Sequence, residues 1–122
     1  MRALRILIID DDETTLMVTE RRLAQRGHTV ESRNETIGAT NAIRKFAPDA
    51  VLIDVNMPAM SGYKLVELIQ QARLPTKLVI FSSIDRAELE TAAVSTGVAG
   101  FVHKDDAATV GERLEAIVRS DP

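Results

Sequence analysis

The chain of 122 residues contains no cysteine and no tryptophan, and only 3% of its residues are aromatic. Without cysteine there is no disulfide framework, no thiolate zinc site and no thiol nucleophile. The few aromatic residues are too scattered for a base-stacking nucleic-acid platform. They are Phe46, Tyr63, Phe81 and Phe101. No apolar run approaches the roughly 18 to 20 residues that span a bilayer, and the N-terminus lacks the features of a signal peptide. We therefore expect a cytoplasmic protein without membrane attachment.

The charge balance gives no sign of a polyanionic partner. Fifteen basic and 18 acidic residues give a formal net charge of -3, and no basic stripe is present. Proteins that bind nucleic acids directly usually carry such a stripe, so we expect no direct nucleic-acid binding. The length and the 45% hydrophobic content are those of an ordinary globular domain, and we expect one domain over residues 1–122.

Five short apolar runs recur along the chain. They are Ile6–Ile9, a weaker run around Val30, Ala50–Ile53, Leu78–Phe81 and Ala99–Val102. Four are continuous and rich in branched aliphatic residues, which is typical of strands buried on both faces of a parallel sheet. The run around Val30 alternates polar with apolar residues, as an edge strand does. Segments with helical spacing lie between the runs. This alternation predicts an α/β fold with a doubly wound, five-stranded parallel sheet flanked by five helices.

Two of the helical segments have predictable ends. The segment from Glu35 to Phe46 contains Gly38 and several residues of low helix propensity, so its helix should be short. A fourth helix should begin near Asp85, which can accept hydrogen bonds from its first backbone N–H groups. Gly97 should end that helix, because glycine readily adopts the left-handed conformation found at helix C-termini.

Polar residues follow four of the predicted strands. They are Asp10 and Asp11 after the first strand, Asp54 after the third, Ser82 after the fourth and Lys104 after the fifth. Carboxyl ends of parallel strands meet at one sheet edge, where α/β proteins bind their ligands. Clustered carboxylates raise each other's pKa unless a cation is bound, and oxygen ligands alone suit Mg²⁺. An aspartate beside such an ion could accept a phosphoryl group, whose oxygens a lysine and a hydroxyl would hold. Alternatively, Asp10 to Asp12 could simply cap the next helix.

These residues form a pattern that resembles the receiver domains of response regulators in two-component signalling, of the chemotaxis-regulator type. The resemblance covers essentially the whole chain. It is carried by Ile6–Asp12, by Val51–Pro58 with Gly62 beyond it, and by Ser82, Phe101 and Lys104. It implies a flavodoxin-like fold with the strand order 2-1-3-4-5.

The resemblance also implies a role for each residue of the site. Asp54 would accept a phosphoryl group from a histidine of a sensor histidine kinase or a histidine phosphotransfer protein. Lys104 would pair with the phosphoryl oxygens, and Ser82 and Phe101 would form the switch. The Mg²⁺ ligands would be Asp10, Asp11, Asp54 and the backbone carbonyl of Asn56. Beyond its own phosphorylation and slow dephosphorylation, the protein would not be an enzyme.

The implied output surface is the face of the fourth helix, the fifth strand and the fifth helix. Through it, the domain would control a downstream protein or an output domain outside this chain, and it could form a homodimer when phosphorylated. A receiver-like interaction module that works without phosphate is an alternative. Two other phosphate-handling families fit less well. Asp54-Val55-Asn56 lacks the second acid of haloacid-dehalogenase phosphatases, and Asp10-Asp11-Asp12 would repel the phosphate of a flavin nucleotide.

Other residues have structural interpretations. The Lys104–Asp105 bond should be trans, because a cis bond without proline costs roughly 2.5 to 4 kcal/mol. His103 should have a structural or peripheral role, and His28 should face solvent. The charged run Glu20, Arg21, Arg22 and Arg26 should be a solvated helix face. Gly62 should be a turn residue that closes the loop after the third strand.

Overall fold

The computed structural model describes residues 3–57 and 60–120. Pro58, which belongs to the loop motif after the third strand, lies outside the described residues. Strands and helices alternate strictly along the chain. These are β1 (Arg5–Ile9), α1 (Glu13–Gln25), β2 (Thr29–Arg33), α2 (Ala39–Phe46), β3 (Ala50–Ile53), α3 (Gly62–Gln71), β4 (Lys77–Ser82), α4 (Arg86–Thr96), β5 (Gly100–His103) and α5 (Val110–Arg119). A 3₁₀ segment over Lys104–Thr109 joins β5 to α5.

The five strands form one parallel sheet in the order β2-β1-β3-β4-β5. This confirms the predicted fold class, strand order and helix number, and it confirms that β2 lies at an edge. Strands β1 and β3 are neighbours, with Ile9 paired to Ile53. Their last residues therefore end side by side, and the residues that follow each strand emerge at the same point of the sheet edge.

Apolar side chains on both faces of the sheet bury it between two helical layers. In β1, Ile6 and Ile8 pack toward α1 and α5, whereas Leu7 and Ile9 pack toward α2 and α3. All four side chains are fully buried. Burying a side chain of this size stabilises the fold by about 1.5 to 3 kcal/mol, so the sheet holds the ends of its strands in fixed positions.

The helix ends follow the local sequence signals. Helix α2 is only eight residues long and begins after Gly38, whose φ of 80° is left-handed. Helix α4 begins after Asp85, whose carboxylate accepts hydrogen bonds from the backbone N–H groups of Ala87 and Glu88. It ends at Gly97, where φ is 72°. The predicted shortness of α2 and the predicted limits of α4 are therefore confirmed.

The prediction that His28 faces solvent is wrong, because its side chain is buried next to α5. The backbone N–H of Leu4 donates to its Nδ1 at 2.9 Å. Because Nδ1 accepts, the ring proton lies on Nε2. Nε2 donates it to Oε2 of Glu115 at 2.7 Å. This partner lies 87 residues away in the sequence, so the local pattern around His28 gave no sign of it.

Arg26 is exposed, as predicted for its charged run, but its guanidinium also binds a buried carboxylate. Its Nε and Nη2 donate to the two carboxylate oxygens of Glu115, each at 2.7 Å. Gly111 makes room for this contact, since a Cβ at that position would overlap the Arg26 side chain. Glu115 is 5% exposed and receives hydrogen bonds from both Arg26 and His28. These bonds lower its pKa from an ordinary value of 4.5 to about 2, despite the opposing effect of burial.

We predict that Glu115→Gln destabilises the protein by about 2 to 3 kcal/mol at pH 7, because it removes the buried charge that Arg26 and His28 bind. The folded-state pKa of Glu115 lies below its unfolded value. Its contribution is therefore complete above about pH 4.5 and is lost as the pH falls towards 2. In urea unfolding, the difference between wild type and variant should be about 1 kcal/mol smaller at pH 3.5 than at pH 7.

Glu112→Gln is the matched control for this prediction. Glu112 also faces Arg26, at 3.3 Å, but its side chain is 55% exposed. Exposed ion pairs contribute little, so we expect a loss of less than about 1 kcal/mol. Equal losses in the two variants, or a Glu115→Gln difference that does not change with pH, would contradict this account.

Candidate functional site

Three carboxylates meet at the carboxyl edge of the sheet, where β1 and β3 end. Asp10 and Asp11 follow β1, and Asp54 follows β3. One oxygen of each carboxylate lies within 4.8 Å of those of the other two. Asp10 and Asp54 are buried, with 0% and 6% exposure, whereas Asp11 is exposed. The structure therefore brings together the three acids that the sequence placed at this edge.

Lys104 supplies the positive charge at this cluster. Its Nζ lies 2.7 Å from Oδ2 of Asp10 and 3.5 Å from Oδ2 of Asp54. Apart from this ion pair, Oδ2 of Asp10 is buried without a hydrogen-bond donor among the described residues. The lysine follows the last residue of β5, so the end of this strand carries the ammonium group to the acids.

The charges at this edge are not balanced. Burial raises the pKa of Asp10, and the charge of Asp54 raises it further, against the lowering effect of Lys104. Burial alone would lower the pKa of Lys104, but the hydrogen bond and charge of Asp10 and the charge of Asp54 outweigh it and raise that pKa. Three carboxylates and one ammonium leave an excess of two negative charges when all are ionised. Oxygen ligands with such an excess fit a hard divalent cation such as Mg²⁺.

The helix-capping alternative applies to Asp12 and not to its two neighbours. Oδ1 of Asp12 accepts from the backbone N–H of Thr14 at 3.3 Å, and its Oδ2 accepts from the Thr15 hydroxyl at 2.6 Å. The hydrogen bond from Thr15 is the main reason that the pKa of Asp12 is lowered. Asp12 is thus the N-cap of α1, while Asp10 and Asp11 lie in the acidic cluster.

The loop after β3 holds the Asp54 carboxylate through its own backbone. Oδ1 of Asp54 accepts from the N–H of Asn56 at 3.1 Å, and Asn56 itself is exposed. Gly62, expected to be a turn residue, is instead the first residue of α3. A Cβ on Gly62 would overlap the carbonyl oxygen of Asp54 and lie 2.7 Å from Cα of Val55. Sequence reasoning missed this role, because the glycine is needed for close packing and not for its backbone conformation.

The two predicted switch residues lie on β4 and β5. Ser82 is fully buried, and its Oγ accepts from the N–H of Ile84 at 3.2 Å. Its hydroxyl proton therefore remains available to another acceptor. Phe101 is half-buried and packs against a small apolar cluster that includes Ile80 and Leu89. Ser82 is the last residue of β4 and Phe101 lies within β5, and their roles as a switch remain a prediction.

The residues that flank Lys104 behave as expected. The Lys104–Asp105 bond is trans, since the described residues contain no cis peptide bond. His103 is buried, and its Nδ1 accepts from the N–H of Asp105 at 3.0 Å. Its Nε2 lies 2.9 Å from the carbonyl oxygen of Ile84. Both ring nitrogens thus bind backbone groups, which supports a structural role. The contact with Ile84 has no local signature around His103, since the two residues lie 19 positions apart.

A five-stranded parallel sheet with this edge cluster defines a receiver-type signalling domain. The chain belongs to the response regulator receiver domain family, whose model matches residues 6–115. Receiver domains act in two-component signalling, bind Mg²⁺ at an acidic cluster, and interact with histidine kinases or phosphotransfer proteins and with output domains. The family predicted from the sequence motifs is therefore confirmed.

Individual relatives agree with this assignment. The chain is 32% identical over 93 residues to the sensor histidine kinase RcsC of Salmonella typhimurium, a match that covers 76% of this chain and 10% of that protein. It is similar in structure to a two-component response regulator of the LuxR family from an Aurantimonas species, with a TM-score of 0.85, 25% identity and coverage of 96% and 86% of the two chains. The chemotaxis response regulator CheY4 of Vibrio cholerae gives a TM-score of 0.84, 21% identity and coverage of 95% and 99%, which shows the shared fold.

The chain spans half or less of the length of the curated relatives named here. It spans 10% of RcsC, 31% of an archaeal protein-glutamate methylesterase and 50% of the transcriptional regulatory protein NarL of Mycobacterium tuberculosis. These relatives thus combine a region similar to this chain with several other kinds of sequence. Within the described residues, no helix is long and apolar enough to cross a membrane.

We predict that Gly62→Ala displaces the backbone at Asp54, because the added methyl group would overlap the carbonyl oxygen of that residue. Overpacking of this kind costs about 1 to 3 kcal/mol. In a two-dimensional amide NMR spectrum, the signals of Asp54 and Asn56 should shift strongly.

Gly27→Ala is the control, since Gly27 has a left-handed φ of 90° but no atom within 4 Å of an added Cβ. It should cost about 1 to 2 kcal/mol and leave both signals in place. Unchanged Asp54 and Asn56 signals in Gly62→Ala would contradict the packing role.

Proposed function

We propose that this chain is a phosphoacceptor domain in which Asp54 receives a phosphoryl group from a phosphohistidine of a sensor histidine kinase or a histidine phosphotransfer protein. The observation that carries the proposal is the position of Lys104, whose Nζ lies 2.7 Å from Asp10 and 3.5 Å from Asp54. A cation between two buried carboxylates can hold the oxygens of a group transferred to either of them. Membership of the receiver family supports Asp54 as the acceptor.

In the transfer step, a carboxylate oxygen of Asp54 forms a bond to phosphorus while the bond from phosphorus to the donor nitrogen breaks. The leaving nitrogen keeps the electron pair, and the product is an acyl phosphate on Asp54. Lys104 remains protonated and moves from its pairing with Asp10 and Asp54 to the phosphoryl oxygens. Its raised pKa favours the charged form that this role needs. Catalysis by the chain itself is limited to this step and to the slow hydrolysis of its product.

The negative charge of the cluster would repel an incoming phosphoryl group. Asp10, Asp11, Asp54 and the backbone carbonyl of Asn56 would hold Mg²⁺, which supplies positive charge to offset this repulsion when it is bound. The exposed position of Asp11 leaves one side of the cluster open to solvent. This opening provides the path by which Mg²⁺ would enter. The buried Asp10 is fixed by the N–H of Asp12, which donates to its Oδ1 at 2.9 Å.

Phosphorylation would then act on the switch residues. A phosphoryl group adds about 1.5 to 2 negative charges and strong acceptor oxygens. The free hydroxyl proton of Ser82 would bond to it, and Phe101 would turn inward behind the moved serine. This rearrangement would alter the face formed by α4, β5 and α5, which would contact a downstream protein, an output domain or a second copy of the chain. We extend this assignment to residues 1–122 as one receiver domain and place it in the cytoplasm.

We predict that the wild-type protein is phosphorylated by acetyl phosphate with Mg²⁺ and that Asp54→Asn abolishes the modification, because the amide lacks the nucleophilic oxygen. Intact-mass spectrometry measures the product directly. Asp12→Asn is the matched control, since Asp12 caps α1 and lies outside the cluster, and it should be phosphorylated like wild type. A wild-type chain that is never modified would instead favour the phosphorylation-independent interaction module.

We further predict that Mg²⁺ raises the thermal stability of the wild-type protein and that chelation reverses the effect. At a concentration ten times the dissociation constant, the expected gain is about 1.4 kcal/mol. Asp11→Asn removes one ligand and should weaken the apparent affinity about tenfold or more, whereas Asp12→Asn should leave it unchanged. Differential scanning fluorimetry over a Mg²⁺ titration measures both. Equal affinities in the two variants would exclude Asp11 as a ligand.

A further inference from the structure

Helix α4 is held to the rest of the domain by a small apolar contact. Of its eleven residues, only Leu89 and Ala93 are buried, and Val94 is 78% exposed. By comparison, α3 buries four residues, among them Leu65 and Ile69. Regions with few buried apolar contacts open at low free energy. Polar contacts at the ends of α4 therefore have a larger share in fixing its position.

The loop between β4 and α4 is held by its Ile84 peptide groups. The N–H of Ile84 donates to Oγ of Ser82 at 3.2 Å. The carbonyl oxygen of Ile84 lies 2.9 Å from Nε2 of His103. The same residue is thus tied through its N–H to the proposed switch hydroxyl and through its carbonyl to β5.

The proton on the imidazole ring of His103 has a defined position. The backbone N–H of Asp105 donates to Nδ1 at 3.0 Å, so Nδ1 carries the lone pair and Nε2 carries the proton. Nε2 therefore donates to the carbonyl of Ile84. The side chain is only 7% exposed, and loss of a buried hydrogen bond costs more than loss of an exposed one. The ring joins the backbone of the β4–α4 loop to the backbone that follows Lys104.

We propose that His103 is a positioning residue that stabilises the unphosphorylated conformation of the β4–α4 loop through its hydrogen bond to Ile84. The inference rests on the proposed phosphorylation of Asp54. It adds a residue that opposes the conformational change caused by phosphorylation. Movement of Ser82 toward a phosphoryl group displaces the Ile84 peptide, whose carbonyl His103 holds. The bond is therefore stronger before phosphorylation than after it. Removing the bond should shift the equilibrium toward the activated conformation.

Three substitutions of His103 distinguish the effects of its two hydrogen bonds, to Ile84 and to Asp105. His103→Gln places an amide N–H near the position of Nε2 and retains a donor to Ile84. His103→Asn places an oxygen near the position of Nδ1 and retains the acceptor for Asp105, but it loses the donor. His103→Leu loses both. If His103 had a purely structural role, all three substitutions would disturb the protein. The proposed role predicts that only loss of the donor to Ile84 changes the position of the loop.

The first measurement is the affinity for BeF₃⁻ with Mg²⁺, a mimic of the phosphoryl group, followed by NMR of the full chain. We expect His103→Asn and His103→Leu to bind about 2- to 10-fold more tightly than wild type, which is the range that one net hydrogen bond allows. His103→Gln should bind like wild type. Equal affinity in all four proteins, or weaker binding in the Asn and Leu variants, would overturn the proposal.

The second measurement does not depend on phosphorylation. In the metal-free protein, NMR relaxation should show greater mobility of residues 83–86 in His103→Asn and His103→Leu, and wild-type behaviour in His103→Gln. If wild type neither binds BeF₃⁻ nor accepts phosphate, the proposed function fails, and this second measurement still decides whether His103 holds the loop. An unchanged loop in the Asn and Leu variants would overturn the role of His103 by itself.

Gln70→Ala is the matched control for a contact of α4 at its other end. The amide of Gln70 donates to the carbonyl of Thr96 at 2.7 Å and links α3 to the last turn of α4. Its loss loosens α4 away from the loop. We expect no change in BeF₃⁻ affinity in this variant. A gain equal to that of His103→Asn would show that any loosening of α4 has the same effect, and it would overturn a specific role for His103.

Discussion

The ion pairs of Lys104 with Asp10 and Asp54 are the interaction on which the rest of the site depends. Two of the three carboxylates are buried, and one ammonium group cannot neutralise all three. The pKa of Asp10 is raised by burial, so its charged form is destabilised by the fold that holds it. Such a site gains stability when positive charge is added beside it. The tightly packed strands β1, β3 and β5 maintain this imbalance, because they fix the positions from which the charged side chains emerge.

A second charged cluster in the same domain shows the opposite behaviour. Glu115 is also buried, yet it receives hydrogen bonds from Arg26 and His28, and its pKa falls to about 2. Here every charge has a partner within the chain, and the cluster joins α1 to α5. Among the described residues, Asp10 pairs with one cation, Lys104, which it shares with Asp54. Of Asp10 and Glu115, the acid with the raised pKa, Asp10, lies at the carboxyl edge of the sheet. This contrast is expected where fixed charges serve binding rather than stability.

The sequence was sufficient for the features that depend on neighbouring residues along the chain. Apolar runs predicted the strands, and the residues after them predicted which side chains meet at the edge. Contacts between segments that are distant in the chain could not be predicted from the sequence. The burial of His28 depends on Glu115, which lies on another element. Likewise, the role of Gly62 follows from the close approach of α3 to Asp54. Neither contact has a local sequence signature.

The end of β5 links the charge of the site to the loop that would respond to it. Adjacent residues on a strand point to opposite sides, and here Lys104 directly follows the last residue of β5, His103. Lys104 reaches the acids at 2.7 Å, while His103 binds the β4–α4 loop at 2.9 Å. A shift of the backbone at this point moves both contacts together. Because α4 buries only two side chains, few apolar contacts of this helix oppose such a shift. If Asp54 is phosphorylated as proposed, the coupling between its new charge and the α4 surface would need no long pathway, since two consecutive residues, His103 and Lys104, would carry it.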